Sequence, residues 1–140
     1  MRQTAEYRKT EVNTSDNVRI ITLLYDGAIN YIRMSRTKME QGDIAGKGLY
    51  IGKATAIVGE LSSCLNMEKG SEIGKNLRNL YDFILDRLLF ANLKNDKKAF
   101  DDAEKILDML RNAWKEMERN LSASANLSAI NRSVGMELRV

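Results

Sequence analysis

The stretch that decides the fold runs from Asn66 to Asp96 and reads NMEKGSEIGKNLRNLYDFILDRLLFANLKND. Apolar residues recur in it at steps of three and four, the spacing that places side chains on one face of an α-helix: Ile73, Leu77, Leu80, Ile84, Leu88 and Ala91. A second apolar set lies beside or opposite this stripe: Tyr81, Phe83, Leu85, Leu89, Phe90 and Leu93. A helix that is apolar on several sides must be covered on more than one face. The sequence therefore predicts that other helices or a partner pack around it.

Length and composition indicate one globular domain that is not an enzyme. The chain has 140 residues, of which 44% are hydrophobic and 29% charged, and that is enough for a single core. It lacks histidine, the commonest general base and metal ligand, and Cys64 is its only cysteine. We therefore predict no catalytic residue, no metal site and no cofactor.

The charge pattern gives no indication of nucleic acid or of a membrane as a partner. The 22 basic and 19 acidic residues are interspersed, whereas nucleic-acid binders more often cluster their basic residues. No apolar run approaches the roughly 18 residues of a membrane span, so stable membrane insertion is not expected. The N-terminus, MRQTAEYRKTEV, lacks the apolar core of a signal peptide. The predicted location is the cytoplasm.

Helix boundaries follow from capping residues and glycines. Helices are predicted at about 16–41, 43–67, 71–94 and 96–120, together forming a bundle over 16–121. Asp43 and Ser71 are expected as N-caps, and Gly42 and Gly70 as the ends of the first two helices. Four helices of this length with short links predict an all-α, antiparallel, up-and-down four-helix bundle.

Two positions inside the helices have a specific structural interpretation. Gly27 costs the first helix roughly 1 kcal/mol relative to alanine, which favours close approach of a neighbouring helix there over a gap for a partner side chain. Trp114 lies on the apolar seam of the fourth helix, so we expect it to be largely buried.

The two ends of the chain differ in composition from the bundle. Residues 1–15 are predicted to form an N-terminal arm that contains Tyr7. Residues 122–140 are rich in serine, alanine and asparagine and are predicted to form a flexible or weakly helical tail. Its apolar residues, spaced by three and four, would suit an apolar groove of the protein's own bundle: Leu127, Ile130, Val134 and Leu138. The alternative is a disordered tail without a role.

A resemblance to a known family is carried by motifs spread over residues 7–118. These are LNMEKGSEI at 65–73, Asn76-Leu77, Leu80-Tyr81-Asp82-Phe83, Arg87-Leu88, Ala91-Asn92, Asn95-Asp96, LYDGA at 24–28, and Ala113-Trp114. Together they resemble the flagellar secretion chaperone FliS, the export chaperone of flagellin. One departure is Ser15-Asp16, where such chains usually have a serine followed by proline at the start of the first helix.

The resemblance implies a function and partners. It implies a cytoplasmic chaperone that binds the disordered C-terminal region of flagellin, prevents premature polymerisation and keeps flagellin competent for flagellar type III secretion. It also implies a monomer that binds its client one to one and meets the flagellar export gate and a co-chaperone. The resemblance and the surplus of apolar residues together predict nine client-binding residues: Tyr7, Leu24, Tyr25, Ile29, Tyr50, Leu77, Tyr81, Leu85 and Leu89.

Two other functions remain open from the sequence. The bundle could be a homodimeric adaptor or scaffold without a client, which predicts a stable dimer in the free protein. It could also be a helical RNA-binding module, given its basic pI near 9.0, and its affinity would then fall steeply with salt.

Overall fold

The computed structural model describes the backbone of residues 14–67 and 71–138, and the side-chain exposure of residues 16–65 and 71–134. Residues 1–13, which include Tyr7 and most of the predicted arm, lie outside the described residues. In the described ranges every regular element is a helix, which confirms the predicted all-α four-helix class. The helices are α1 (Thr14–Glu40), α2 (Ile44–Ser63), α3 (Glu72–Lys94) and α4 (Lys97–Leu138), and a short 3₁₀ turn (Cys64–Met67) follows α2.

Asp43, Ser71 and Gly42 occupy the helix ends predicted for them, whereas Gly70 lies outside the described residues. The side chain of Asp43 accepts a hydrogen bond from the Gly46 backbone at the start of α2, and Ser71 does the same for Gly74 at the start of α3. Gly42 ends the segment after α1 with a φ of 75°, a left-handed conformation that glycine adopts without steric cost. The turn from α3 into α4 uses Asn95, also left-handed at φ 51°.

The fourth helix is longer than the sequence predicts. Its predicted end near residue 120 differs from the structure, in which α4 continues without interruption to Leu138. The segment has no proline, and its first glycine is Gly135, so nothing in the sequence breaks the backbone hydrogen bonding earlier. The residues predicted as a separate tail therefore extend α4.

The chain divides into two compact units, one of which is Leu23–Arg111. This unit contains segments of all four helices, and its side chains show how α1 and α2 run. Ser35 donates a hydrogen bond to the backbone carbonyl of Lys47, while Gly27, nearer the start of α1, lies beside Ile57, further along α2. The two helices are therefore antiparallel. A Cβ at Gly27 would lie 3.2 Å from Ile57 Cδ1, which fits the close helix approach expected at this glycine.

Ion pairs show the direction of α4 in the same unit. Arg36 pairs with Glu104 at 2.6 Å, and Asp26, ten residues earlier on α1, pairs with Arg111 at 3.2 Å. The order reverses between the two helices, so α1 and α4 are antiparallel. Helices that alternate in direction along the chain in this way form the predicted up-and-down arrangement.

The core of Leu23–Arg111 is apolar and contributed by all four helices. Its largest fully buried side chains are Tyr25, Ile29, Ile32, Val58, Tyr81, Ile84, Leu88, Phe100 and Leu107. α2 and α3 pack directly on each other. Lys47, near the start of α2, donates to the Asn92 carbonyl, near the end of α3. These helices are also antiparallel.

The other unit comprises Met1–Thr22 and Asn112–Val140. Among its described residues Val18 and Thr22 are buried, and the Thr22 hydroxyl donates to the Val18 carbonyl at 2.9 Å. Trp114, expected to be largely buried, is partly exposed, as is Leu121. Every residue from 122 to 134 is exposed, including the apolar Leu127, Ile130 and Val134.

Candidate functional site

The outer side of α3 carries exposed apolar side chains from the second set found in the sequence. They are Phe83, Leu89, Phe90 and Leu93, while the exposed Ile73 lies on the inner stripe at the start of the helix. Exposed apolar surface of this kind usually marks a binding site. On α3 it forms two edges of different chemistry.

The first edge is a row of leucines spaced by four, which we call the leucine row: Leu85, Leu89 and Leu93. Residues four apart on a helix lie on the same face, one above the other. Exposure increases along the row, from the partly buried Leu85 to 57% at Leu89 and 70% at Leu93. The row therefore offers an apolar strip that runs towards the C-terminal end of α3.

The second edge is a cluster of two phenyl rings and one guanidinium group. The Arg87 guanidinium carbon lies 5.6 Å from the ring centroid of Phe83 and 5.0 Å from that of Phe90. Its Nη2 also contacts Asp86 at 3.1 Å. Cation–π contacts order the arginine over both rings, so this edge is a more polar, preorganised surface than the leucine row.

Small residues form one strip on α2, beside the exposed Ile44 and Leu49. We call this strip the small-residue face: Ala45, Gly48, Gly52, Thr55 and Gly59. Gly52 and Gly59 come two residues after Tyr50 and Ile57, so they lie about 200° further around the helix. Ile57 contacts α1 at Gly27, and the Tyr50 ring stacks on Tyr31 at 6.0 Å. The small-residue face therefore points away from α1.

No described residue fills the space above three glycines of this face. A Cβ added at Gly48, Gly52 or Gly59 would meet no described atom within 4 Å apart from the nearby backbone of α2 itself. A partner helix could therefore approach the α2 backbone closely at these positions.

Two tyrosines join α1 to α3 inside the core. The hydroxyl oxygens of Tyr25 and Tyr81 are 2.5 Å apart, and both side chains are buried. Burial raises the pKa of Tyr81 far above its ordinary value, and the hydrogen bond with Tyr25 raises this pKa further. The pair is thus neutral at physiological pH and contributes to the core.

A buried lysine joins α2 to the end of α3. Lys47 is 4% exposed, and its Nζ donates to the Asn92 carbonyl at 2.9 Å and to Asn95 Oδ1 at 2.5 Å. Its own backbone carbonyl accepts the hydrogen bond from Ser35. We call these four residues the Lys47 cluster.

The nine residues predicted to bind a client do not form one surface. Three are in the core, with at most 2% exposure: Tyr25, Ile29 and Tyr81. Four are partly buried: Leu24, Tyr50, Leu77 and Leu85. Leu89 is well exposed, and Tyr7 lies outside the described residues. The structure brings Tyr25 next to Tyr81 and aligns Leu85 with Leu89, whereas Tyr50 stacks between α1 and α2. The assignment of all nine to client binding stays a prediction.

The sequence pattern already included some of the exposed apolar residues that are not among the nine predicted ones. Leu93, Phe83 and Phe90 belong to the second apolar set, but so does the buried Tyr81, so membership of the set alone did not predict exposure. Lys47 lies on the apolar seam of α2, four residues before Ile51 and seven before Ala54, and only its residue type argued against burial.

Two kinds of feature are absent from the described residues, a cluster of metal ligands and a membrane-spanning helix. In residues 14–67 and 71–138 no group of three or more metal-binding side chains comes together. None of the helices in these same ranges is long and apolar enough to cross a membrane.

Comparison with known proteins places the chain in a family. A family model described as flagellar protein FliS matches residues 1–121. The chain is 37% identical over 125 residues to the flagellar secretion chaperone FliS of Vibrio cholerae, covering 84% of this chain and 92% of that protein. It is 40% identical over 104 residues to FliS of Salmonella typhimurium, covering 74% and 77%, and 31% identical over 110 residues to FliS of Bacillus subtilis, covering 79% and 81%. The chain belongs to the FliS family of flagellar proteins.

Proposed function

We propose that this protein is a flagellar export chaperone that binds the disordered C-terminal region of flagellin, prevents its premature polymerisation and keeps it competent for secretion. Family membership supports a flagellar secretion chaperone. The observation that carries the proposal is the exposed leucine row, Leu85, Leu89 and Leu93, which has no counterpart to cover it among the described residues.

The client groove follows from the positions of α2 and α3. Asn92 lies three residues after Leu89, on nearly the same side of α3, and its carbonyl accepts the hydrogen bond from Lys47 of α2. The leucine row therefore borders the seam between α2 and α3. Gly48 lies about 100° around α2 from Lys47, on the side away from Tyr50 and Ile57, which face α1. The small-residue face therefore adjoins the same seam from α2. We infer a groove with leucines on one wall and small residues on the other.

Such a groove suits an amphipathic helix. Helical ligands bind apolar grooves through side chains spaced by three and four, and small residues let their backbone come close. A disordered client that folds on binding can cover a long surface, although ordering the chain reduces its affinity. The C-terminal region of flagellin, once bound as a helix, would be unable to join a filament.

The remaining partners follow from the same proposal. The protein acts in the cytoplasm, as a monomer with one flagellin molecule, and the loaded complex then meets the export gate and a co-chaperone. It is not an enzyme and does not bind nucleic acid.

The test uses purified full-length flagellin and flagellin that lacks its C-terminal region. Isothermal titration calorimetry with the intact chaperone should give one binding site for the full-length protein and no binding for the truncated one. Light scattering should show that equimolar chaperone stops flagellin polymerisation. Equal binding of both flagellins would contradict the proposed client segment.

The homodimeric scaffold predicts a different result in the absence of client. Sedimentation equilibrium should give the mass of one chain, 15.9 kDa, for the free protein. A stable dimer that does not bind flagellin would favour the homodimeric scaffold. An affinity for RNA that falls steeply with added salt would favour the nucleic-acid module.

A further inference from the structure

Lys47 is the only charged side chain among the buried residues of the described core. A buried ammonium group is unfavourable unless hydrogen bonds replace its lost hydration. Here two oxygens do so, the Asn92 carbonyl at 2.9 Å and Asn95 Oδ1 at 2.5 Å. The lysine thus spans from the first turns of α2 to the turn that follows α3.

Both oxygens belong to the C-terminal end of α3, where a helix lacks internal partners. The last four carbonyls of an α-helix have no intrahelical donor, and a positive charge there interacts favourably with the helix dipole. Asn95 is held in a left-handed conformation, in which its side chain faces the same ammonium group. Lys47 therefore fixes the last turn of α3, and with it the orientation of Leu93.

We propose that Lys47 is a positioning residue for the client groove: it holds the exposed end of the leucine row at the correct distance from the small-residue face of α2. This inference rests on the proposed function. Leu89 and Leu93 flank Asn92 in sequence, and Gly48 adjoins Lys47, so one hydrogen-bonded group sets the spacing between both walls of the groove.

A positioning role differs from general stabilisation in where its loss is felt. Removing the ammonium group leaves the Asn92 carbonyl and Asn95 Oδ1 without their donor, which lowers the stability of the whole fold. It also leaves the end of α3 free to fray, because helix ends open more readily than helix centres. A groove whose wall is ordered only part of the time binds its client more weakly by that fraction.

The test compares Lys47→Met with Ser35→Ala, a matched control within the Lys47 cluster. Lys47→Met removes the ammonium donor and keeps an unbranched apolar chain of similar length. Ser35→Ala removes the hydrogen bond that links α1 to Lys47, but it leaves the Lys47 side chain on α3. Each full-length variant is measured for thermal stability, for hydrogen exchange, and for affinity to the C-terminal segment of flagellin by calorimetry.

We expect Lys47→Met to weaken client binding about tenfold and to speed amide exchange at residues 89–95 about tenfold, whereas Ser35→Ala leaves both unchanged at a similar melting temperature. Unchanged client affinity in Lys47→Met would overturn the proposal, as would an equal loss in both variants.

If Lys47→Met fails to fold, Asn95→Gly replaces it, because glycine keeps the left-handed backbone and removes one acceptor. Asn95→Gly should weaken client binding about threefold. An unchanged affinity in this variant would overturn the proposal. Failure of the unmodified protein to bind would instead contradict the proposed function.

Discussion

The inner and outer sides of α3 are made of similar residues but have different physical roles. The inner side, Tyr81, Ile84, Leu88 and Ala91, is at most 2% exposed and forms part of the core. The outer side carries leucines and phenylalanines that remain in contact with water. Hydrophobicity alone therefore does not distinguish a residue that holds the fold from one that is available to a partner. The position around the helix makes the distinction.

Adjacent leucines provide the largest test of this difference. Leu88 is fully buried and Leu89 is 57% exposed. We expect Leu88→Ala to lower the free energy of unfolding by about 3 kcal/mol, since it removes buried methyl groups and leaves a cavity. Leu89→Ala should change it by no more than ~0.5 kcal/mol. Urea denaturation followed by circular dichroism measures both, and equal losses would show that the two sides do not differ.

The reverse difference is expected for client binding. Leu89→Ser with Leu93→Ser should weaken binding to the flagellin C-terminal segment by about 2 kcal/mol, as for residues central to an interface. The unfolding free energy should hardly change. Met109→Ser is the matched control, because Met109 of α4 is 59% exposed and lies outside the leucine row. A comparable loss of affinity in that control would mean that the groove is misplaced.

The sequence alone would suggest the double variant Tyr81→Ala with Leu85→Ala for the binding test. This variant changes the inner and the outer side of α3 together, so it does not separate client binding from stability. Tyr81 is buried and hydrogen-bonded to Tyr25, so its removal lowers stability irrespective of the client.

The buried Tyr81 on the inner side of α3 should also make the free energy of unfolding depend on pH above pH 10. An unfolded tyrosine ionises near pH 10.0, whereas burial raises the pKa of Tyr81 in the folded protein. The stabilisation from the neutral phenol is complete below pH 10 and is lost as the pH rises above it, because only the unfolded state releases the proton. Between pH 10 and 11 this contributes a loss of about 1 kcal/mol.

Tyr81→Phe is the control for the pH experiment, since it cannot ionise. Its unfolding free energy, measured in urea at several pH values, should fall less steeply above pH 10 than that of the unmodified protein. Parallel curves would place the ionisable group elsewhere.

The smallest expected effect separates the two edges of the outer side. Arg87→Ala removes the cation–π contacts with Phe83 and Phe90, worth about 0.5 kcal/mol at an exposed site. Affinity for the flagellin segment should stay unchanged, because Arg87 lies away from the leucine row. A marked loss of affinity in calorimetry would extend the client site to this edge.

The local elements of the fold were accessible from the sequence. Asp43 and Ser71 cap helices where their short polar side chains predict, and the seam through Ile84 and Leu88 is the core face of α3. These features depend on neighbours within a few residues, which periodicity and capping rules capture. Membership of the FliS family, inferred from motifs, is confirmed by the family match.

Features that depend on distant contacts were not accessible. Helical spacing from Leu77 and Ile84 places Tyr81 on the core face, but its partner Tyr25 lies 56 residues away. Lys47 likewise lies on the seam of α2, but the oxygens that accept from it lie 45 and 48 residues further along the chain. The end of α4 was placed too early because a low-charge composition suggested a tail, whereas no residue before Gly135 interrupts the helix.

The open glycines of α2 have a consequence for adaptation. Alanine at an exposed helix position is worth up to about 1 kcal/mol over glycine, and Gly52 and Gly59 have room for a methyl group. Each substitution would make the free protein more heat-resistant and would fill part of the proposed groove. The proposal therefore implies that stability and client binding oppose each other at these two positions, so a more heat-resistant variant would have to gain its stability elsewhere in the chain.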